Sequence, residues 1–277
     1  MTNDLHEVFE TGMKELGLAH ETRWALEEMR RLNADGSFLS EVLKRRRAGE
    51  PLAYIFGHWQ FRDLELHVAP GVLIPRPETE ELVDHVIARV RDKERTFDEW
   101  RIVDAGAGSG CLGICVRREI EKKLKLRSSL TLIERSAEAR VTLEKNVREF
   151  SPDARIFAGS WMDWSPSDKI QILVSNPPYI SAFGNDTADV EVDRWEPREA
   201  LYPDDLTRHP DASGPYRELI RIAHHFVDRG GVAAFELGLP QATWIAGFVK
   251  DHYPQWSGSL IRDMAGKDRF WVMQRLY

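Results

Sequence analysis

An α/β chain with a parallel, doubly wound sheet is the fold class that this sequence predicts, and three observations carry it. From about Glu78 onward, short apolar runs alternate with stretches of helical periodicity. The first of those runs opens directly into a glycine-rich turn, DAGAGSG, before a helical pattern begins. The tail, GSLIRDMAGKDRFWVMQRLY, breaks the alternation and reads as two strands about a turn at Ala265 to Asp268, so an antiparallel hairpin closes the sheet.

The elements follow in order. Residues 3 to 48 place apolar side chains at helical spacing in LHEVFETGMKEL, ETRWALEEMRRL and SFLSEVLKRRR, with breaks near Gly17 and at Asn33 to Gly36. They predict a small helical domain spanning residues 1–56. The basic run Lys44 to Arg47 ends the last of these helices, where positive charge suits the helix dipole, and reads as a solvated helix end. WQFRDLELHV then alternates, with Phe61, Leu64, Leu66 and Val68 apolar around a turn at Arg62 and Asp63, and predicts a hairpin inside a linker of residues 57–75. The remaining residues, 76–277, hold strands near 101–105, 130–134, 155–158, 171–175 and 231–237 with helices between them.

The strand QILVSNPPYI ends in Asn176, Pro177, Pro178 and Tyr179. Each proline holds the residue before it out of the helical region and donates no hydrogen bond, so the corner is extended, stiff and rich in acceptors. The Asn176 side-chain oxygen and the Pro177 carbonyl can each accept one hydrogen of a planar NH2 group, with Tyr179 offering a flat face over it. An amide or exocyclic amine is a poor nucleophile because its lone pair is delocalised, and holding both hydrogens favours a pyramidal nitrogen. A strand merely ended by two prolines and a packed tyrosine is the structural alternative.

Upstream, Ile102 to Ala105 form a buried strand ending beside Asp104, and Gly106, Ala107, Gly108, Ser109 and Gly110 supply a tight turn whose backbone can approach a ligand. Glu134 ends the next strand, where a carboxylate suits a ribose diol. Ser160 and Trp161 follow the third strand, and NPPY ends the fourth. Dinucleotide oxidoreductases share the glycine turn, but this order of features is similar to that of S-adenosylmethionine-dependent methyltransferases.

With the segments LIPRPETE (Leu73 to Glu80), VSNPPYI, WEPREAL and FELG, nearly the whole chain resembles the protein-glutamine methyltransferases of the HemK or PrmC type. The resemblance implies a class I S-adenosylmethionine-dependent methyltransferase fold, Rossmann-like, with a seven-stranded sheet and antiparallel carboxyl-terminal hairpin. It implies methyl transfer from S-adenosylmethionine to the glutamine of a Gly-Gly-Gln loop in a class I peptide chain release factor. Carried over, Gly106 to Gly110 with Asp104 surround the methionine part of the cofactor, Glu134 binds its ribose, Trp161 flanks its adenine and Asn176 bridges cofactor and substrate. NPPY holds the glutamine amide. Arg76, Glu78 and Thr79 match the family's PRPETE segment, whose residues alone predict only a helix start, and Glu236 at a strand end reads as structural. Two departures stand out: YPDDLTRHPDAS, residues 202–213, replaces a glycine-rich stretch with a polar, proline-bearing loop, and Asp63 stands where glycine is common.

Composition narrows the class further. With 277 residues, 42% of them hydrophobic, the chain can build one large domain and one small one. The start MTNDLHEVFE has neither a basic nor an apolar stretch, and no run of about eighteen apolar residues occurs, so a cytoplasmic protein off the membrane is expected. A net charge of −7 with one dense basic run argues against a stable nucleic acid complex. Cys111 and Cys115 share one helix face and read as small buried residues, and no metal site is expected. Rival readings are an adenine methyltransferase of DNA or RNA, a peptide or small-molecule tailoring enzyme, and a non-catalytic cofactor-binding subunit.

Overall fold

The computed structural model describes residues 11–13, 19–33, 35–91, 97–182 and 188–276. Of the first expected helix, Leu5 to Leu16, residues 11–13 are helical and the rest lies outside the described residues. The remaining amino-terminal helices form as their periodicity predicts: α1 (Ala19–Arg31), α2 (Gly36–Arg47) and the short α3 (Leu52–Phe56). Asp35 caps α2 by accepting the backbone N–H groups of Ser37 and Phe38. Met13, Leu26, Met29, Leu39, Val42, Leu43 and Ile55 bury their side chains together in an apolar cluster separate from that of the sheet.

The basic run at the end of α2 is only in part the solvated helix end that the sequence suggests: Lys44 and Arg47 are exposed, whereas Arg45 is half-buried and Arg46 buried. Arg46 is 5% exposed and pairs with Glu191 at 3.0 Å, and Arg45 pairs with Glu50 at 2.5 Å. Glu191 lies 145 positions from Arg46, a partner that helical periodicity cannot reveal.

The hairpin follows as β1 (His58–Phe61) and β2 (Leu64–His67), paired antiparallel with Phe61 opposite Leu64. Arg62, in the turn, adopts a φ of 53°, and its N–H and guanidinium are held by Glu80 and Asp84. Arg31, steadied by Glu28 of its own helix, ties α1 to this hairpin through bonds to Glu65 and His58.

The larger part comprises α4 (Pro77–Arg91), β3 (Trp100–Ala105), α5 (Cys111–Glu119), β4 (Ser128–Glu134), α6 (Ala137–Phe150), β5 (Arg155–Ala158), β6 (Ile170–Ser175), α7 (Val190–Trp195), α8 (Arg198–Leu201), α9 (Gly214–Phe226), β7 (Val227–Glu236), α10 (Leu239–His252), β8 (Trp256–Arg262) and β9 (Asp268–Arg275). The seven strands lie in the order β5-β4-β3-β6-β7-β9-β8, with β3 to β7 parallel and β9 antiparallel to both of its neighbours. Strand β6 is buried at every residue, as a central parallel strand covered on both faces must be. Strand β7 begins earlier than its apolar run suggests: Gly230, at φ 81°, lets the chain enter the sheet through an irregularity opposite Ile170 and Ile172. Because the chain steps outward from β3 to β5 and then returns to β6, the carboxyl ends of β3 and β6 flank a crevice, the usual ligand position in such sheets. Among the described residues, no helix is long and apolar enough to cross a membrane.

Candidate active site

A cavity of about 580 Å³ opens at the carboxyl ends of the parallel strands, within the size range of small-molecule sites. Its floor is the turn after β3. Gly106, Gly108 and Gly110 have φ values of 75°, 54° and 84°, a region that other residues enter at a cost. A side chain at Gly106 would come within 2.9 Å of the Trp161 ring, whereas one at Gly108 would meet nothing within 4 Å, so the bare backbone leaves open space there. Asn146 of α6 accepts the His67 N–H and donates to the carbonyls of His67 and Ser109, which fastens the turn to the hairpin.

Asp104 is buried, and its Oδ2 accepts the N–H of Gly113 at 2.8 Å, joining strand, turn and helix. Burial pushes its carboxyl up to about 7, the Gly113 N–H opposes the shift, and the Glu134 charge adds to it. Glu134 accepts the N–H of Gly108 through one oxygen and that of Ser136 through the other, each at 2.8 Å. A carboxylate has about four lone-pair directions, so both oxygens keep capacity for a ligand's hydroxyls. Trp161 and Met162 line the wall after β5.

The residues predicted for the corner divide into two groups. Asn176 and Pro178 line the cavity, whereas Pro177 and Tyr179 are not among its lining residues. The Tyr179 ring packs on the apolar cluster behind the sheet, its carbonyl accepts from Gln241, and burial raises its phenol. The ring is half-buried and packs against the core, and it does not line the cavity. Cys111 also differs from expectation, since it is half-buried and borders the cavity, with burial pushing its thiol up to about 12.

Arg76 and Thr79 both line the cavity, and each has a definite partner. Arg76 pairs at 2.5 Å with Glu196, whose other oxygen accepts the N–H of Ile74, so the segments PRPETE and WEPREAL brace each other. Thr79 Oγ1 donates to Glu236 at 2.6 Å and accepts from Asn176 Nδ2 at 3.2 Å. Glu78, half-buried in the first turn of α4, is not a lining residue. The polar loop 202–213 closes the far side with Pro203, Asp204, Asp205, Arg208 and His209, and Asp204 is bonded to Arg135. The sequence singles out this loop as a departure from the family pattern but assigns no role to any one of its residues.

A parallel sheet that ends in an antiparallel hairpin, with a glycine turn and an Asn-Pro-Pro-Tyr corner on one cavity, makes the chain a class I S-adenosylmethionine-dependent methyltransferase. The family model described as Methyltransferase small domain matches residues 82–191. A relative from Nitratidesulfovibrio vulgaris is 33% identical over 87% of this chain and 78% of its own length, and one from Vibrio cholerae is 33% identical over 83% and 76%. A Fusobacterium nucleatum relative is 31% identical over 84% of the chain, which spans 62% of that protein. All three are named release factor glutamine methyltransferase, and the chain belongs to that family. The cavity suits S-adenosylmethionine, with open backbone at Gly108, acceptor oxygens on Glu134 and an aromatic wall at Trp161.

Proposed function

We propose that the chain methylates the side-chain amide nitrogen of the glutamine in the Gly-Gly-Gln segment of a class I peptide chain release factor, with the cytoplasm as the compartment. The observation that carries this reading is Asn176, at the carboxyl end of β6, sharing one cavity with the glycine turn while its Nδ2 is already engaged by Thr79. Its Oδ1 is thereby turned toward a donor, and an amide NH2 is such a donor.

Bound S-adenosylmethionine supplies a methyl group activated by a sulfonium. In this proposal the turn Gly106 to Gly110, with Ala107, Ser109 and the neighbouring Asp104, surrounds the cofactor's amino-acid part. Glu134 accepts its ribose hydroxyls and Trp161 flanks its base. Asn176 Oδ1 accepts one amide hydrogen from the cavity wall; the Pro177 carbonyl is the proposed acceptor of the other, although Pro177 itself does not line the cavity. Pro178 keeps the corner rigid, and Tyr179 props it from the core. As the nitrogen gains positive charge, these acceptors stabilise it more than they stabilise the neutral amide. Holding the reacting groups in line contributes roughly 7 to 11 kcal/mol. A strong base is unnecessary, because a methylated, positively charged amide nitrogen loses its proton readily.

The helical residues 1–56 are proposed to recognise the protein substrate, with 57–75 as the linker and 76–277 as the catalytic part. Their separate apolar cluster supports an independent unit. Pairing of Arg45 and Arg46 with acidic groups, together with the net charge of −7, supports a protein partner over a nucleic acid.

The test is incubation with methyl-labelled S-adenosylmethionine and a release factor, followed by peptide mass spectrometry. The expected result is label on the Gly-Gly-Gln glutamine, absent when that glutamine is alanine and strongly reduced with Asn176→Ala enzyme that still binds cofactor. No label despite normal cofactor binding overturns the substrate and directs the search to other amides or amines that the 202–213 loop could select.

A further inference from the structure

We propose that Thr79 and Glu236 are positioning residues that decide which end of the Asn176 side-chain amide faces the cavity. The inference rests on the reading above, in which an NH2-bearing amide is the substrate. Glu236 ends β7 with 1% of its surface exposed, and its Oε2 lies 2.6 Å from Thr79 Oγ1; that hydroxyl lies 3.2 Å from Asn176 Nδ2. A hydroxyl has one hydrogen to give. Beside a carboxylate, Thr79 gives it to Glu236 and offers Asn176 only lone pairs, so Asn176 turns its NH2 inward and its oxygen toward the cavity.

Protonation of Glu236 reverses this logic. A carboxylic acid donates to Thr79, the hydroxyl hydrogen becomes available to Asn176 Oδ1, and the amide is free to turn its NH2 group outward. Two NH2 groups then face each other, and the corner rejects the substrate it was built to hold. The charged and polar surroundings of Glu236 keep the switch within reach of ordinary pH. Burial pushes its carboxyl up to about 7; Thr79 and the charges of Arg269 and Arg76 oppose the shift, and Glu78 adds to it. Tyr216 donates to the Glu236 backbone carbonyl, and Tyr179 and Cys111 complete the ionisable groups that feel its charge.

The experiment follows the Asn176 side-chain amide and the Glu236 carboxyl by nitrogen and carbon NMR across pH 5 to 9, in wild type, Thr79→Val, Thr79→Ser and Glu236→Gln. Release-factor methylation is measured over the same range. In wild type both signals are expected to titrate together, and turnover to fall as pH drops through that same transition. Thr79→Val should uncouple the Asn176 signal from Glu236, lower kcat about tenfold and lose the acid limb, with cofactor affinity within about twofold; Thr79→Ser should restore all three. Glu236→Gln should show no transition. An Asn176 signal that ignores Glu236 in wild type, a measurement that needs no variant to fold, overturns the proposal, as does unchanged coupling in Thr79→Val. If the coupling behaves as stated while wild type methylates no release factor at any pH, the positioning role stands and the substrate reading falls.

Discussion

Asp104 illustrates how one buried side chain can serve the site and tax the fold together. Its Oδ2 anchors the Gly113 N–H at 2.8 Å, and the helix sits so close to the strand that a side chain at Gly113 would meet Asp104 Cβ at 2.8 Å. Burial raises its carboxyl from 3.8 to about 7, as it raises Glu236 from 4.5 to about 7. A folded-state value above the unfolded one means that the folded chain holds more protons between about pH 4 and 7, so stability falls as pH rises through that window. Asp104→Asn keeps an acceptor for Gly113 and has no charge to bury. Denaturant unfolding of the cofactor-free protein should show a shallower decline from pH 4 to 7 in this variant; an identical slope would mean that Asp104 is already ionised at little cost. Asn176 was legible because two prolines act on their own backbone. The role of Thr79 was not, since its partner Glu236 lies 157 positions away and only the fold brings them together.

At the scale of the element, the glycine turn performs two separable tasks. Gly110 has φ 84°, and a side chain there would meet Leu143 at 2.7 Å and Ile114 at 3.0 Å, so it serves packing of α5 against α6. Gly108 has φ 54° and borders only open space in the cavity, so it serves the ligand. A left-handed conformation costs a residue with a side chain about 1 to 2 kcal/mol. Gly110→Ala adds a clash to that cost and should lose about 2 to 5 kcal/mol of stability, whereas Gly108→Ala should lose less stability and more cofactor affinity. Thermal melts with and without S-adenosylmethionine separate the two, and equal effects on both measures would refute the division. The strands β3, β4 and β6 were readable as apolar runs between turn residues, because a parallel strand covered on both faces needs such a run, whereas β5 lies at the sheet edge and is only partly buried. The early start of β7 was hidden by the Gly230–Gly231 pair, which reads as a break and acts as an entry into the sheet.

Across the whole molecule, the segments before β3 and between β6 and β7 are joined by charge pairs that no local pattern announces. Arg46 reaches Glu191 across 145 positions, and Arg76 reaches Glu196 across 120. The second pair bears directly on the site, because it clamps the start of α4, which carries Thr79, to the chain entering α8. The Glu196 side chain is 2% exposed, and burial raises its carboxyl while Arg76 and the Ile74 N–H oppose the shift. Removing Arg76 leaves that buried carboxylate without its cation, a change that typically costs about 3 to 5 kcal/mol. Arg76→Met should therefore destabilise the chain by about that amount at pH 8 and by less at pH 5. The sign follows from linkage: without Arg76 the folded-state value for Glu196 rises further, the folded chain holds its proton to higher pH, and stability falls as pH rises. Arg76→Met combined with Glu196→Met removes the orphaned charge and should recover much of the loss, since apolar replacements of a buried pair are often neutral or stabilising. Urea unfolding at the two pH values checks both statements. A single variant within about 1 kcal/mol of wild type at pH 8, the range of exposed pairs, would show that Arg76 faces the ligand and braces nothing.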